Sequence, residues 1–460
     1  MDSGGGNSGE LLDEMPPCSS DQEAPRRRSV AAMVSGCDGS GVMFDGMPQT
    51  GSRSEFDAGA GVSLWAGLQA DILGVVLRFL PCLADRASVR SVCRHWRAAA
   101  QGHLLPPPLP ILVLPEFKFS SLSEKGELMP VRRVPVPKEV PADGLRCVGS
   151  FDGWLVAVTP SKDCSDRFYR DADGECFLVN AFSRKVIRLP QLCNMHYNPA
   201  YYSIKILPVV NGICDVHFGA NETYKLSLCQ VALSDSPDSG SKYIVAANSE
   251  HKCASVLALW QPGMMLWHVC SGFDIDGPKD LAFYQGKLYV LVRFRTSLLT
   301  FELDEDDRGF MVSRVELCLR ELPCNHPFQE SGPVYSNMVV WRGELLLIIR
   351  YYTDEQVLKV QVFALDVNMN PCGLSEIHSF NGDCILVGSG GCKSFPAGLH
   401  GVEGDLIYFV PDDWEPYDSF VYSMRDGRMR PFAAKLLACY SKSDVPQKNL
   451  NFPVWLLPSA

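Results

Sequence analysis

The segment GSGGCKS at 388–394 has the composition of a phosphate-binding loop. Such a loop wraps an anion in backbone N–H groups and needs a glycine immediately before its lysine. Cys392 stands there instead, and the flanking residues do not read as strand then helix, so nucleotide chemistry is not expected. No GxSxG elbow for a serine nucleophile occurs. The nine histidines are scattered, with neither HExxH nor a paired-ligand spacing. Eighteen cysteines run singly from Cys18 to Cys439 without one CxxC pair. A zinc site or redox dithiol usually leaves such a pair, so these thiols are expected to serve as small apolar residues in a reducing compartment. The acids of ELDEDDRG at 302–309 lack the EF-hand ligand order and read as a solvated hairpin turn. Asn221-Glu222-Thr223 is a glycosylation sequon that should stay unmodified without a secretory signal. A propeller-type hydrolase would need convergent carboxylates or a histidine cluster on inner strands, and no such set stands out. No metal, no cofactor and no catalytic residue are expected.

What remains is binding, and composition limits the partner. Acids outnumber bases 53 to 42 in 460 residues, a formal charge of −11, which argues against nucleic acid as the main ligand. Hydrophobic residues make up 46%, enough for a sizeable core. No apolar run reaches the length of a membrane span. The start, MDSGGGNSGELLDEM, lacks the basic and apolar regions of a signal peptide, and its acids oppose a transit peptide. A cytoplasmic or nuclear protein is expected. Arg26-Arg27-Arg28 reads as a solvated cluster rather than an address.

Three regions follow from the pattern. Residues 1–60 are dominated by Gly, Ser, Asp and Pro and are expected to be a disordered tail. Residues 64–104 read as three short helices. Leu68, Ile72, Leu73, Val76, Leu77 and Leu80 recur at three- and four-residue steps, and Pro81 ends that helix. Asp85 is expected to N-cap a second helix carrying Val89 and Val92, and a third runs through Cys93–Ala100 to Gly102. About forty residues are too few for a stable free-standing domain, so this unit is expected to dock on something. The prolines of HLLPPPLPILVLP make a stiff junction.

From residue 110 to 460 the grammar is β: short apolar runs bounded by turn residues. GSFDGWLVAV, FYQGKLYVLV, VWRGELLLII and HGVEGDLIYF share a polar-glycine turn followed by an apolar run. Their turn glycines, Gly153, Gly286, Gly343 and Gly404, are spaced by 133, 57 and 61 residues. The long gap leaves room for one degenerate copy, with Val210-Asn211-Gly212-Ile213 as its candidate. Hairpins repeating at this period are the mark of propeller blades, and five to seven blades fit, with six the best match. The last run, NFPVWLLP, is expected to pair with LPILVLP and close the ring, leaving no edge exposed.

The helical unit resembles an F-box, through Leu68, Ala70-Asp71-Ile72-Leu73, Val76-Leu77, Leu80-Pro81, Asp85-Arg86, Val89-Arg90 and the ending Val92-Cys93-Arg94-His95-Trp96-Arg97. One position departs. Gln69 stands where F-boxes carry the proline that starts the first helix and touches the adaptor. The C-terminal region resembles the F-box-associated, KIB-type β-propeller family of land plants, through DGWL at 152–155, LVNAFSRKVIRLP at 178–190, DLAFYQGKLYVL at 280–291, Ser394, Ile407-Tyr408-Phe409 and Asp412-Asp413.

The resemblance implies the substrate-recognition subunit of a Skp–cullin–F-box ubiquitin ligase, mainly β, with a three-helix F-box before a β-propeller. The partners implied are a Skp-type adaptor, cullin through it, and a target protein. Carried over by position, adaptor binding falls on Leu68, Ile72, Leu73, Val76, Leu77, Val92 and Trp96. Five arginines against two aspartates in this unit would favour an acidic adaptor. Target binding is expected on propeller loops, with Tyr197, Tyr201, His326, Trp414 and Tyr417 as aromatic and histidine candidates. Gln69 motivates the alternative, an adaptor-independent interaction scaffold with a degenerate F-box.

Overall fold

In the computed structural model, residues 67–80, 83–103, 105, 108–133, 136–141, 144–160, 174–197, 223–251, 254–271, 278–292, 297–306, 309–320, 334–353, 356–369, 371–412, 419–437 and 452–458 are described. The tail, residues 1–60, lies outside them.

Helices α1 (Ala70–Arg78), α2 (Leu83–Val92) and α3 (Arg94–Gly102) form the helical unit. α1 stops at Phe79, ahead of Pro81, as the missing N–H of proline requires. Asp85 is not the N-cap of α2. The helix begins two residues earlier, at Leu83, and the Asp85 carboxylate instead pairs with Arg132 at 3.1 Å. Cys93 caps α3, its Sγ accepting the Trp96 N–H at 3.4 Å. His95 and His103 of and after α3 donate Nε2–H to the carbonyls of Leu68 and Ala70, each at 2.8 Å, tying α3 to the start of α1.

The rest is a six-bladed β-propeller. Blade 1 is the sheet Arg146–Phe151, Trp154–Val158, Cys176–Asn180, Val186–Leu189. Blade 2 starts with Ser227–Leu233, Val245–His251, Ala254–Trp260 and Trp267–Ser271, with Leu192–Tyr197 and Thr223–Lys225 added outside. Blade 3 runs from Pro278–Tyr284 to Gly309–Leu319 and blade 4 from Val334–Trp341 to Gly373–Glu376. In blade 5 the strand Lys393–Phe395 folds back along Cys384–Val387, which pairs in parallel with Leu406–Phe409. Blade 6 closes the ring as expected: the C-terminal strand Val454–Leu456 pairs with Ile111–Leu114, matching Leu112 to Trp455.

Each blade is buried on both faces, which explains its unbroken apolar runs. In Trp154–Val158, residues Trp154, Val156 and Val158 pack toward blade 2, while Leu155 and Ala157 pack toward blade 6. Six apolar clusters fill the six interfaces among the described residues.

Three of the repeat glycines sit in identical two-residue turns. Asp152-Gly153, Gln285-Gly286 and Arg342-Gly343 all have positive φ at both positions, the type I′ geometry that glycine admits without strain. Gly404 differs: it precedes Leu406–Phe409 but does not join a hairpin, since that strand's inner neighbour is the distant Cys384–Val387. The degenerate copy also lies elsewhere. Blade 2's first hairpin is Ser227–Leu233 with Val245–His251, joined across 234–244, and residues 210–213 lie outside the described residues.

Candidate functional site

On α1 the apolar residues divide into two stripes. Leu73 and Leu77 are fully buried and hold the unit together. Ile72, Val75, Val76 and Phe79, at i, i+3, i+4 and i+7, form one helix face and are 41% to 75% exposed. Val92 at the end of α2 is exposed too, at 59%. Leu68 and Trp96 are half-buried. Of the seven residues carried over as adaptor contacts, the structure therefore leaves Ile72, Val76 and Val92 open and encloses Leu73 and Leu77.

The unit is clasped to the propeller rather than tethered to it. Arg86 is 3% exposed, and its Nε donates to the Leu80 carbonyl at 2.6 Å. Its charge reaches His400 on the short helical turn Ala397–His400 of blade 5. Burial first, and then Arg86, push the His400 pKa down, with Glu124 opposing, so the imidazole is neutral at physiological pH. Asp85 pairs with Arg132 on the outermost strand of blade 6. Leu109 of the proline-rich junction is buried in the cluster between blades 5 and 6.

The chain enters the ring at Ile111, paired with Leu456, and the next carbonyl, that of Leu457, accepts the N–H of turn residue Gly153. The entry point and the tight turns thus share one rim. Neighbouring blades are fastened there. Trp154 Nε1 of blade 1 donates to Asp238 of blade 2 at 2.9 Å, where Asn180 and Lys185 also bond the carboxylate. Tyr284 of blade 3 donates to the Gly343 carbonyl of blade 4 at 2.9 Å. Trp341 Nε1 of blade 4 donates to Asp383 of blade 5 at 2.9 Å, joined by Arg342 through Nε at 2.7 Å and Nη2 at 3.0 Å.

The innermost strands carry a second polar layer. Asp280 of blade 3 accepts Gln230 Nε2 of blade 2 at 2.6 Å and the Met338 N–H of blade 4 at 2.6 Å. Burial raises its pKa, and those donors oppose the rise. Arg350, on the second strand of blade 4, donates to Asn337 of the innermost strand at 2.8 Å and lies over the Phe409 ring of blade 5. Lys393 Nζ of blade 5 donates to the Ser150 carbonyl of blade 1 at 2.6 Å, and burial lowers its pKa. This is the lysine of GSGGCKS. Its glycines answer to packing: a Cβ on Gly390 would stand 2.3 Å from Val454 Cγ1 of the closing strand. The segment locks the ring closed.

The sequence matches the KIB1-4 beta-propeller family over residues 119–423, about two thirds of the chain. The chain belongs to that family. A KIB1-4 beta-propeller suggests a protein-interaction domain. No curated protein sequence matches the chain significantly. Among solved structures, a chain from a structural and mechanistic study of two prolyl endopeptidases aligns at 12% identity and a TM-score of 0.29, covering 82% of this chain and 54% of its own. Rhamnogalacturonan lyase YesW aligns at 10% identity and a TM-score of 0.25, covering 68% of this chain and 65% of its own. The chain thus spans less than two thirds of either protein, and likenesses this weak carry no argument about fold or activity.

Within this KIB1-4 beta-propeller, Tyr197 ends the strand Leu192–Tyr197 on the outside of blade 2. Tyr201, His326, Trp414 and Tyr417 lie outside the described residues. Among the described residues no group of three or more His, Cys, Asp or Glu could hold a metal, and no helix is long and apolar enough to cross a membrane. Reading the sequence overlooked Val75 and Phe79. Their spacing from Ile72 and Val76 was the available signal. It also overlooked Arg86, Asp85 and Arg132 as the clasp, for which sequence offers no signal, since the partners are 47 residues apart.

Proposed function

We propose that this chain is the substrate-recognition subunit of a Skp–cullin–F-box ubiquitin ligase, acting in the cytoplasm or nucleus. The observation that carries the reading is the α1 face. Four apolar side chains stand exposed at helical spacing on a unit whose sequence resembles an F-box. Such a face is suited to complete the apolar groove of a helical partner. The adaptor is a Skp-type protein, which links the chain to cullin.

In this reading the chain performs no chemistry. The helical unit fixes it to the ligase and the propeller holds the target near the charged ubiquitin carrier, raising effective concentration. The rim bearing the tight turns is occupied by the chain's entry and the blade fastenings. The opposite rim is the surface left for the target.

The test is co-purification of the full chain with a Skp adaptor. Ile72→Asp and Val76→Asp, both on the exposed face, should lose the adaptor while the protein stays folded. Met265→Asp, 86% exposed on blade 2, should keep it. Failure of well-folded wild-type protein to bind would sink the reading. Leu73 is unsuitable as a probe, because its side chain holds the unit together.

Gln69 supports the second reading, a scaffold independent of the adaptor. It occupies the N-cap of α1 with no side-chain capping bond, at φ −59°. That φ is the value proline imposes, so Gln69→Pro fits the backbone. If Gln69 weakens adaptor docking, the substitution should tighten it markedly. Unchanged affinity would count against any role for Gln69.

A further inference from the structure

Two of the described thiols meet across a blade interface. Cys318 lies near the end of Gly309–Leu319, the outermost strand of blade 3. Cys372 lies just before Gly373–Glu376, the outermost strand of blade 4. The Cys372 N–H donates to the Cys318 carbonyl at 3.0 Å. This bond brings the two backbones alongside each other, and a disulfide needs their Cα atoms within about 7 Å. The two thiols are also close enough to interact directly, and both sit in the apolar cluster between blades 3 and 4. Other thiols serve otherwise: Cys93 caps α3, and Cys384 Sγ bonds the Glu403 carbonyl.

We infer that Cys318 and Cys372 form a reversible disulfide that staples blade 3 to blade 4 when the protein meets a peroxide. The division of labour follows from exposure. Cys318 is half-buried and reachable, with the Thr300 hydroxyl against its sulfur. Cys372 is buried at 7% exposure. Burial, reinforced by Cys318, pushes its thiol pKa up to about 12, so it stays protonated and inert toward solvent oxidants. Cys318 is therefore the residue that is oxidised and Cys372 the one that resolves it. The Cys318 thiolate attacks one peroxide oxygen, the O–O bond breaks, and hydroxide leaves to take a proton as water. The product is a sulfenic acid. The Cys372 sulfur then attacks the Cys318 sulfur, the S–O bond breaks, and water departs with the Cys372 proton. Two sulfurs are oxidised and one peroxide is reduced to two waters.

The bond closes a loop of more than fifty residues, including the inner strands of blade 4. Closing such a loop in the unfolded chain raises stability.

The experiment uses the purified full chain treated with hydrogen peroxide, then alkylated and digested without reduction. A peptide pair joining Cys318 to Cys372, two hydrogens lighter than its parts and split by dithiothreitol, is the expected product. Cys318 carried to sulfinic or sulfonic acid without a cross-link overturns the inference. So does pairing of Cys318 with another cysteine, or reaction elsewhere that spares both. In Cys372→Ser, Cys318 should instead accumulate as a sulfenic acid that dimedone traps. The cross-linked wild type should unfold several degrees above its reduced form, and an unchanged midpoint refutes the staple.

Discussion

Asp383 is the place to test whether the blades are fastened as described. The residue is 7% exposed, and its carboxylate accepts three hydrogen bonds from blade 4. Asp383→Ala removes the acceptor of all three bonds. The indole N–H of Trp341, itself 7% exposed, is left without a partner, and an orphaned buried donor costs about 1–3 kcal/mol. Arg342 is half exposed, so water replaces the carboxylate for it and the ion pair adds little. Asp383→Asn keeps an oxygen for Trp341 and should cost clearly less than the alanine. The assay is urea unfolding, followed by tryptophan fluorescence and by circular dichroism. Trp341→Phe supplies the closing arm of a double-mutant cycle: it keeps a ring but removes the donor. In the Asp383→Ala background it should cost less than in the wild type, because the bond is already gone. The argument fails if Asp383→Ala lies within about 0.5 kcal/mol of wild type, the spread of ordinary surface substitutions. It fails equally if the asparagine is as damaging as the alanine.

Gly390→Ala should destabilise by about 1–3 kcal/mol through overpacking against Val454, and adding Val454→Ala should recover part of the loss in the same urea assay. Acid should weaken the fold through Asp238 and Asp405. Lys185, with Trp154 and Asn180, holds the Asp238 pKa below the ordinary carboxylate value; burial alone would raise that of Asp405, but donors from Ser379, Phe380, Gly382 and Arg425 outweigh it. Both groups have depressed folded pKa values, so their stabilisation is complete above about pH 4 and is lost as pH falls through the lower folded values; Asp405→Asn should flatten that part of the stability profile, while Asp280, with a raised pKa, works in the opposite sense. Arg86→Ala should speed hydrogen exchange in α2 and leave the blade strands unchanged.

The propeller was legible because its turns impose a local rule. A type I′ turn demands positive φ at two positions, and Asp152-Gly153, Gln285-Gly286 and Arg342-Gly343 meet that demand in a form readable from adjacent residues. Blade 2 hid because its first hairpin spans 234–244 and needs no such dipeptide. Gly404 matched the repeat for a different reason, since the strand beside Leu406–Phe409 arrives from twenty residues earlier. Ring closure was readable from the need to cover an edge, and the register confirmed it. The α1 face was half readable. Periodicity shows that Leu73 and Leu77 share one stripe and Ile72 and Val76 another. Which stripe faces in depends on where α3 and the propeller lie, and that is set by contacts such as His103 to Ala70, 33 residues apart. The fastening carboxylates were beyond reach for the same reason, with Asp238 lying 84 residues from Trp154.

The distribution of these fastenings bears on how one fold can be both rigid and selective. On the turn rim, side chains bridge blade 1 to 2, 3 to 4 and 4 to 5, and the Leu457 carbonyl bridges blade 6 to 1. Between blades 2 and 3 the same rim opens into a cleft of about 360 Å³ that includes Lys242, Tyr284 and Asp304. The axial layer of Gln230, Asp280 and Lys393 holds the inner strands independently of that rim. Among the described residues, these fastenings lie on the axis and on the rim where the helical unit enters. Under the proposed function, the fastened rim would face the constant partner and leave the other rim to the target. The helical unit meets the ring through the Asp85–Arg132 pair on blade 6 and through the Arg86 charge near His400 of blade 5. Under the proposed function, that contact would limit the distances at which a bound target could meet the ligase.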